Sequence, residues 1–439
     1  MTNTTTTISP APTKAPPRST RTSEITYIIL FLAILFSVPI AQTLIELRRH
    51  ERVQFTDVFR YAPTDTNLRQ YEKNLEDKSV FQQSLRPPMQ QFYFQTLRDP
   101  GSKAILGRPG WIFYRPDVRY LIEPNSPEPG DPSSTFLTPE DHTTLRDSVV
   151  AAIVRFRDQL KQRNIALLVI PIPGKPSIYP DQLPYVSTQS LHSPTQDLLA
   201  ALNKQNVHTI DLFTLFHSLR QTESKPLYLQ TDTHWTPQGA ELAAQAVADH
   251  IRTLNLAPKP SRDFLTTPIT VQRIGDILEM TQVPNIRSYF PPEPVLCTRI
   301  SDSRTGPLIP TPADRPGSFR HPSRESQILV LGDSFCRIYQ TPEPQSLGHI
   351  PTTQPDANSA RRPLPGSAGF ISHLAFHLKA PLDYIISDGG ASTDVRRKLA
   401  TNAQLLAGKT LVIWQFIERD IRLGREAWQD IPLPTQLDN

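Results

Sequence analysis

Six consecutive apolar residues, Ile165 to Ile170 (IALLVI), leave no side chain suited to face water. A strand solvated on one face alternates apolar with polar, so an unbroken run marks a strand covered on both faces. Short apolar segments recur at 209–211, 328–331, 384–386 and 411–416. Helical stretches lie between them. In residues 139–162, Leu145, Val149, Ile153, Phe156 and Leu160 share one face at helical spacing. Further helices fit 237–254, 367–378 and 394–406. Strands alternating with helices predict an α/β fold: an α/β/α sandwich around a mostly parallel sheet. Its start is placed near Gly107, where GRPGWIFYRPDVRYLI sets Trp111, Phe113 and Tyr120 in a turn-then-strand pattern.

A second apolar stretch has another purpose. Residues 25–41 (ITYIILFLAILFSVPIA) carry no charge, and extension to residue 45 gives about 21 residues, near the ~20 needed to cross a bilayer core. The run has no polar face and is longer than the usual core of a cleaved signal peptide. It is expected to be an uncleaved anchor. Lys14, Arg18 and Arg21 precede it, and Arg48, Arg49 and Arg52 come after it, so flanking charge leaves orientation balanced. Because a single N-terminal span usually serves to export the C-terminal part of its chain, the large part is placed outside, in the periplasm of a bacterial inner membrane. The expected organisation is a disordered tail (1–24), a transmembrane anchor (25–45), a helical stalk or lead-in (46–105), the α/β domain (106–430) and a short tail (431–439).

Composition narrows the function. The net charge of +4 is small for 439 residues and the charges are interspersed, without the basic stripe that tracks nucleic acid. Cys297 and Cys336 allow one disulfide or two buried thiols. No zinc-ligand spacing or phosphate loop occurs, and neither a metal nor another cofactor is expected. The 45 prolines are about twice the usual ~5% share. Many fall in two polar insertions, at about 290–326 and 341–365. The second starts just after Gly332–Phe335 and is expected to form a lid or substrate rim.

Two short motifs carry chemistry. In QILVLGDSF (327–335) a buried strand runs into Gly-Asp-Ser, which places Ser334 at a strand's carboxyl end, where α/β folds bind ligands. Residues after it are expected to begin a helix whose N–H groups face a developing oxyanion. In TDTHWTP (231–237), Thr236 is a good N-cap and Pro237 a good first helical residue, so His234 lies in extended chain. Residues two apart in extended chain share a face, so Asp232 reaches His234. Each motif alone is weak: Gly-Asp-Ser is usually a cap, and Asp-x-His is equally a surface pair or part of a metal site, though the other histidines are scattered without ligand spacing. Together they supply a nucleophile, a base and its orienting carboxylate.

The sequence resembles the AlgJ/AlgX alginate O-acetylation family, whose catalytic domain is SGNH hydrolase-like. The resemblance covers roughly residues 66–428 through GRPGWIFYRPDVRYL, IPGKPSIYPDQLP, TDTHWTPQGAELAA, VLGDSF, GSAGF and VIWQFIERDI. Its specific element is order. Ordinary SGNH hydrolases have Gly-Asp-Ser first, whereas here Asp-x-His precedes it, as in this family. The resemblance implies Ser334 as nucleophile, His234 as general acid/base, Asp232 as its partner, an exopolysaccharide acceptor, and an acetyl donor supplied by a membrane acyltransferase partner. It leaves open an esterase using the same triad, and a non-catalytic scaffold of an export complex. Gly390, in SDGGAST (387–393), is the candidate oxyanion donor; Lys175 is the candidate site-edge cation; Trp235 is the candidate sugar-stacking ring, with Trp111 and Trp414 expected in the core.

Overall fold

The apolar runs become parallel strands. The structure is a computed structural model. It describes residues 21–60, 62–122, 139–184, 193–281, 283–304, 306–307, 325–341, 343, 347–349, 366–422 and 428–434. Residues 1–20, most of the expected N-terminal tail, lie outside these, as do 435–439, residues 305 and 308–324 of the first insertion, and most of the second insertion, on which the expected lid or substrate rim falls. The chain divides into two compact units, Met1–Met89 and Gln90–Asn439.

The strands in chain order are β1 (Ala104–Leu106), β2 (Ile112–Tyr114), β3 (Ala166–Ile172), β4 (His208–Thr209), β5 (Phe264–Arg273), β6 (Glu293–Asp302), β7 (Gly306–Pro307), β8 (Ile328–Gly332), β9 (Gly348–His349), β10 (Leu382–Ile386) and β11 (Leu411–Ile417). The central sheet has the order β10-β8-β11-β3-β4, and every pairing in it is parallel. Its side chains alternate between two cores. Leu168, Ile170, Val330 and Ile413 face one, with helices Leu212–Thr222, Pro237–Thr253 and Phe370–Leu378. Leu167, Val169, Leu331, Val412 and Trp414 face the other, with helices Pro139–Lys161, Pro194–Lys204 and Asp394–Thr401. This is the three-layer α/β/α architecture with a parallel sheet.

Two elements depart from the sequence expectation. Residues 290–326 are not all insertion: Glu293–Asp302 is a ten-residue strand, β6, paired antiparallel with β5 along its whole length. These two, with β7 and β9, form a second sheet whose inward Ile269, Val271, Val295 and Cys297 join the first core. Tyr120 lies not on a strand but on helix Arg115–Ile122, because β2 ends at Tyr114. Both cysteines are free and buried, which settles the alternatives in favour of thiols.

In the first unit, helix Arg21–Arg48 contains the apolar run, and its Tyr27, Phe31 and Phe36 side chains are exposed. Among the described residues it is the one helix long and apolar enough to cross a membrane. The unit also holds a 3-10 helix, Gln54–Phe59, the helix Asp65–Lys78 and the start of helix Val80–Leu97.

Candidate active site

Ser334 lies just past the carboxyl end of β8, on the first turn of a short helix, Ser334–Arg337. Asp333 builds that turn. Its carboxylate accepts from Phe335 N (2.9 Å), Gln415 Nε2 (2.9 Å) and Ile417 N (2.8 Å), tying the turn to β11. Gly332 must be glycine: a Cβ there would stand 2.4 Å from Cys336 Sγ and 2.8 Å from Gln415 Oε1. Asp333 is therefore an anchor, and Ser334 is the member of the motif left half-buried at the surface.

His234 and Asp232 sit on a loop closed by backbone hydrogen bonds from Leu229 N to His234 O (3.1 Å) and from Thr236 N to Leu227 O (2.8 Å). Thr236 then caps helix Pro237–Thr253 through Gly239 N (3.1 Å). Inside the loop lies Lys175, 1% exposed. Its ammonium donates to the carbonyls of Asp232 (2.7 Å), Gln230 (2.9 Å), Leu229 (3.0 Å) and Ile112 (2.6 Å). From outside, Glu293 accepts from Gln230 N (3.1 Å) and from Thr231 N (2.9 Å) and Oγ1 (2.8 Å). The loop is thus held by a cation at its carbonyls and an anion at its amides. Burial pushes the Lys175 pKa down to about 8, against the raising pull of Glu293, Asp232, Asp276 and Asp117.

The Asp-x-His contact forms directly. His234 Nδ1 lies 2.7 Å from Asp232 Oδ1, which also accepts from His234 N (3.1 Å). Asp232 Oδ2 accepts from Arg273 Nε (3.0 Å) and Nη2 (2.8 Å) and from Asp276 N (3.2 Å). Burial alone would raise the Asp232 carboxyl, but Arg273 and His234 hold it well below the usual carboxylate range. Arg273, 1% exposed, also pairs with buried Glu343. Burial disfavours a charged imidazole at His234, yet Asp232 and Asp276 outweigh it and raise its pKa. The other ring nitrogen, Nε2, is buried and makes no hydrogen bond. The imidazole ring packs against Phe335, the residue after Ser334, at 4.7 Å between centroids.

Three expectations change. Lys175 is no site-edge cation; fully sequestered among four carbonyls, it supports the loop. Trp235 has 0% exposure and lies between Phe370 (5.7 Å, stacked) and Phe335 (5.2 Å, edge-on), so no ring face is open to a sugar. Gly390 gives its amide to Ser387 O (3.0 Å) within its own turn, so that N–H is committed and does not serve as an oxyanion donor. The turn is nonetheless close to Ser334's helix, since Arg337 Nε donates to Asp388 at 2.7–2.8 Å.

The structure also adds residues that sequence reasoning passed over: Arg273, Asp276 and Glu343. Asp232, His234 and Asp276 bring ligand-type atoms within 4.8 Å of one another, a metal-like spacing. Here the Asp232 oxygens are already committed to Arg273, His234 and an amide, so the cationic charge facing them is the guanidinium's.

Residues 104–418 match a family described as SGNH hydrolase-like domain, acetyltransferase AlgX. A Pseudomonas aeruginosa protein named probable alginate O-acetylase AlgJ is 30% identical over 194 residues, 44% of this chain and 42% of the relative. Its namesake in Pseudomonas putida is 27% identical over 317 residues, 71% of this chain and 70% of the relative. The chain thus spans less than half of the first relative's length. A solved structure, the O-acetyltransferase domain of Pseudomonas putida AlgJ, is 23% identical, covers 73% of this chain and 92% of its own, and has a TM-score of 0.49. With the family match running through most of the chain, this protein belongs to the AlgX family of SGNH hydrolase-like acetyltransferase domains.

Proposed function

We propose that the protein is an O-acetyltransferase that moves an acetyl group to a hydroxyl of an alginate-like exopolysaccharide through Ser334, His234 and Asp232. The observation that carries this is the buried Asp232–His234 pair. It fixes the proton on Nδ1 and leaves Nε2 unbonded, with the ring against Phe335, next in the chain to Ser334. A base ready to accept a nucleophile's proton has this arrangement, and such contacts commonly tighten only when substrate binds.

In the first half-reaction Ser334 Oγ attacks the acetyl carbonyl and its proton passes to His234 Nε2. The tetrahedral intermediate collapses, His234 gives that proton to the leaving group, and acetyl-Ser334 remains. In the second, a sugar hydroxyl attacks the acetyl carbonyl while Nε2 takes its proton. Collapse releases the acetylated sugar, and the proton returns to Ser334 Oγ. Asp232 keeps the imidazole oriented and stabilises its charged form. The helix Arg21–Arg48 holds the catalytic unit at a membrane surface, outside the cytoplasm, where a membrane acyltransferase partner hands over the acetyl group.

Full-length protein in detergent, given a chromogenic acetyl ester and an alginate oligosaccharide, tests the proposal. Acetylated oligosaccharide is expected with the wild type and is expected to vanish in Ser334→Ala. Release of acetate alone, with no transfer to sugar, overturns the transferase reading in favour of an esterase. Unchanged turnover in Ser334→Ala overturns the mechanism.

A further inference from the structure

The imidazole faces two carboxylates, and only one of them is neutralised. Asp232 is compensated by the guanidinium of Arg273, itself shared with Glu343. Asp276 stands on the same side of the ring, with Oδ2 3.5 Å from His234 Nδ1. Among the described residues, Asp276 has no Lys or Arg within ion-pair distance. Its Oδ1 accepts from Thr233 N (2.7 Å) and its Oδ2 from Thr233 Oγ1 (2.7 Å). Thr233 Oγ1 in turn lies 3.0 Å from His234 Nδ1. Resting on the function proposed above, we infer that Asp276 is a positioning residue for acyl transfer, acting through His234: its uncompensated charge, held across Thr233, stabilises the imidazolium formed when Ser334 gives up its proton.

The surroundings agree with this division of labour. Burial, and after it the charge of Asp232, raises the Asp276 pKa to about 6, with the charge of His234 and then the Thr233 hydrogen bonds opposing. Asp276 is thus ionised at neutral pH, though less firmly than Asp232. The charged and titratable groups facing the pair are Asp232 on the loop itself, Arg273 at the end of β5, Lys175 beneath the loop, and Glu293 from β6. The apolar Phe335 ring packs against the imidazole. Arg273 is directed at Asp232 and Glu343, and Lys175 at carbonyls. The Nδ1 proton stays on nitrogen throughout; Asp276 receives no proton in the cycle and contributes only its field and the hold on Thr233.

A purely structural Asp276 would fix the Thr233 backbone and nothing more. The pH profile separates the two. Removing a negative charge from beside the ring makes the imidazolium less stable, so His234 becomes neutral at a lower pH. In full-length protein in detergent, with 4-nitrophenyl acetate as acyl donor, Asp276→Asn is expected to lower kcat about 10–100-fold at pH 7.5. KM is expected to change little, and the acid limb of the kcat/KM profile to move to lower pH. An unmoved limb, or an unchanged kcat, overturns the inference. Ser334→Ala is run alongside. If it is inactive while Asp276→Asn leaves the limb in place, only the role of Asp276 falls; if it stays active, the proposed function falls first, and this inference with it. A measurement on the wild type does not depend on a variant folding. The His234 imidazole, identified by NMR as the signal lost in His234→Gln, is expected to titrate in two coupled steps, one near pH 6. A single step overturns the inference.

Discussion

Asp276 stands at a point where catalysis and stability conflict. Its pKa is raised from 3.8 to about 6, so the folded state resists ionising it. The sign comes from proton binding. Between these two values the folded protein holds a proton that the unfolded chain has lost. The contribution to stability is therefore complete below pH 3.8 and is lost as pH rises through about 6. At neutral pH the strain amounts to at most about 2–3 kcal/mol. Solvent screening reduces this further, because the side chain is 17% exposed. Asp276→Asn, which keeps the shape and cannot ionise, is expected to unfold at higher temperature than the wild type at pH 7.5. The difference should shrink to nothing below about pH 4. Thermal melts across that pH range test it; a variant less stable at pH 7.5 would show that the Thr233 hydrogen bonds matter more than the charge. Higher stability with lower turnover is the usual trade where a site retains an unfavourable group for function.

At the scale of elements, the site is assembled from segments whose visibility in the sequence differs for physical reasons. Strands β3, β8 and β11 are covered on both faces, so almost every residue is apolar and the strands announce themselves. The Pro139–Lys161 helix shows its buried face as Val149, Ile153, Phe156 and Leu160 at helical spacing. The Asp232–His234 contact and the place of Ser334 after β8 are legible because these residues stand at junctions with recognisable turn and cap chemistry. Strands β5 and β6 are not. Only one face of each is buried, the buried residues are few, and Pro268 and Pro294 interrupt the pattern. Arg273 is the third inward residue after Ile269 and Val271, and the alternation was its one available signal. Asp276 and Glu343 reach the site from separate segments without a motif. The burial of Lys175 and Trp235 is not legible because exposure cannot be read from residue type: a lysine, normally solvated, is here enclosed by carbonyls, and the tryptophan beside His234 is core.

The junction after β5 can be tested directly. A Cβ on Gly275 would lie 1.8 Å from Thr231 O and 2.6 Å from Asp232 N, both backbone atoms that cannot swing aside. Gly275→Ala must therefore push the Arg273–Asp276 segment away from the loop that carries Asp232 and His234. Turnover of the acetyl ester is expected to fall about 100-fold, as for a misplacement of about 1 Å. An alanine variant with wild-type turnover would show that the β5 junction does not position the pair.

For the whole molecule, the division into Met1–Met89 and Gln90–Asn439 separates an apolar helix from the unit that holds the candidate site. The exposed Tyr27, Phe31 and Phe36 on that helix are the apolar surface that a bilayer would cover in the proposed anchor. Flanking charge does not decide which way the helix runs, because three basic residues lie on each side. The proposed function does: an exopolysaccharide hydroxyl is met outside the cytoplasm, and the proposal therefore puts the Gln90–Asn439 unit there. Full-length protein is expected to remain with membranes after an alkaline carbonate wash and to enter solution with detergent. Protease added to spheroplasts is expected to digest the C-terminal unit; full protection would place it in the cytoplasm and remove it from its proposed acceptor. Arginine at both Leu32 and Leu35, near the middle of the span, costs about 5–7 kcal/mol of insertion free energy. That double variant is expected to leave the membrane fraction yet keep Ser334-dependent turnover of a small acetyl ester. Loss of that turnover would mean that the anchor shapes the catalytic unit as well as placing it.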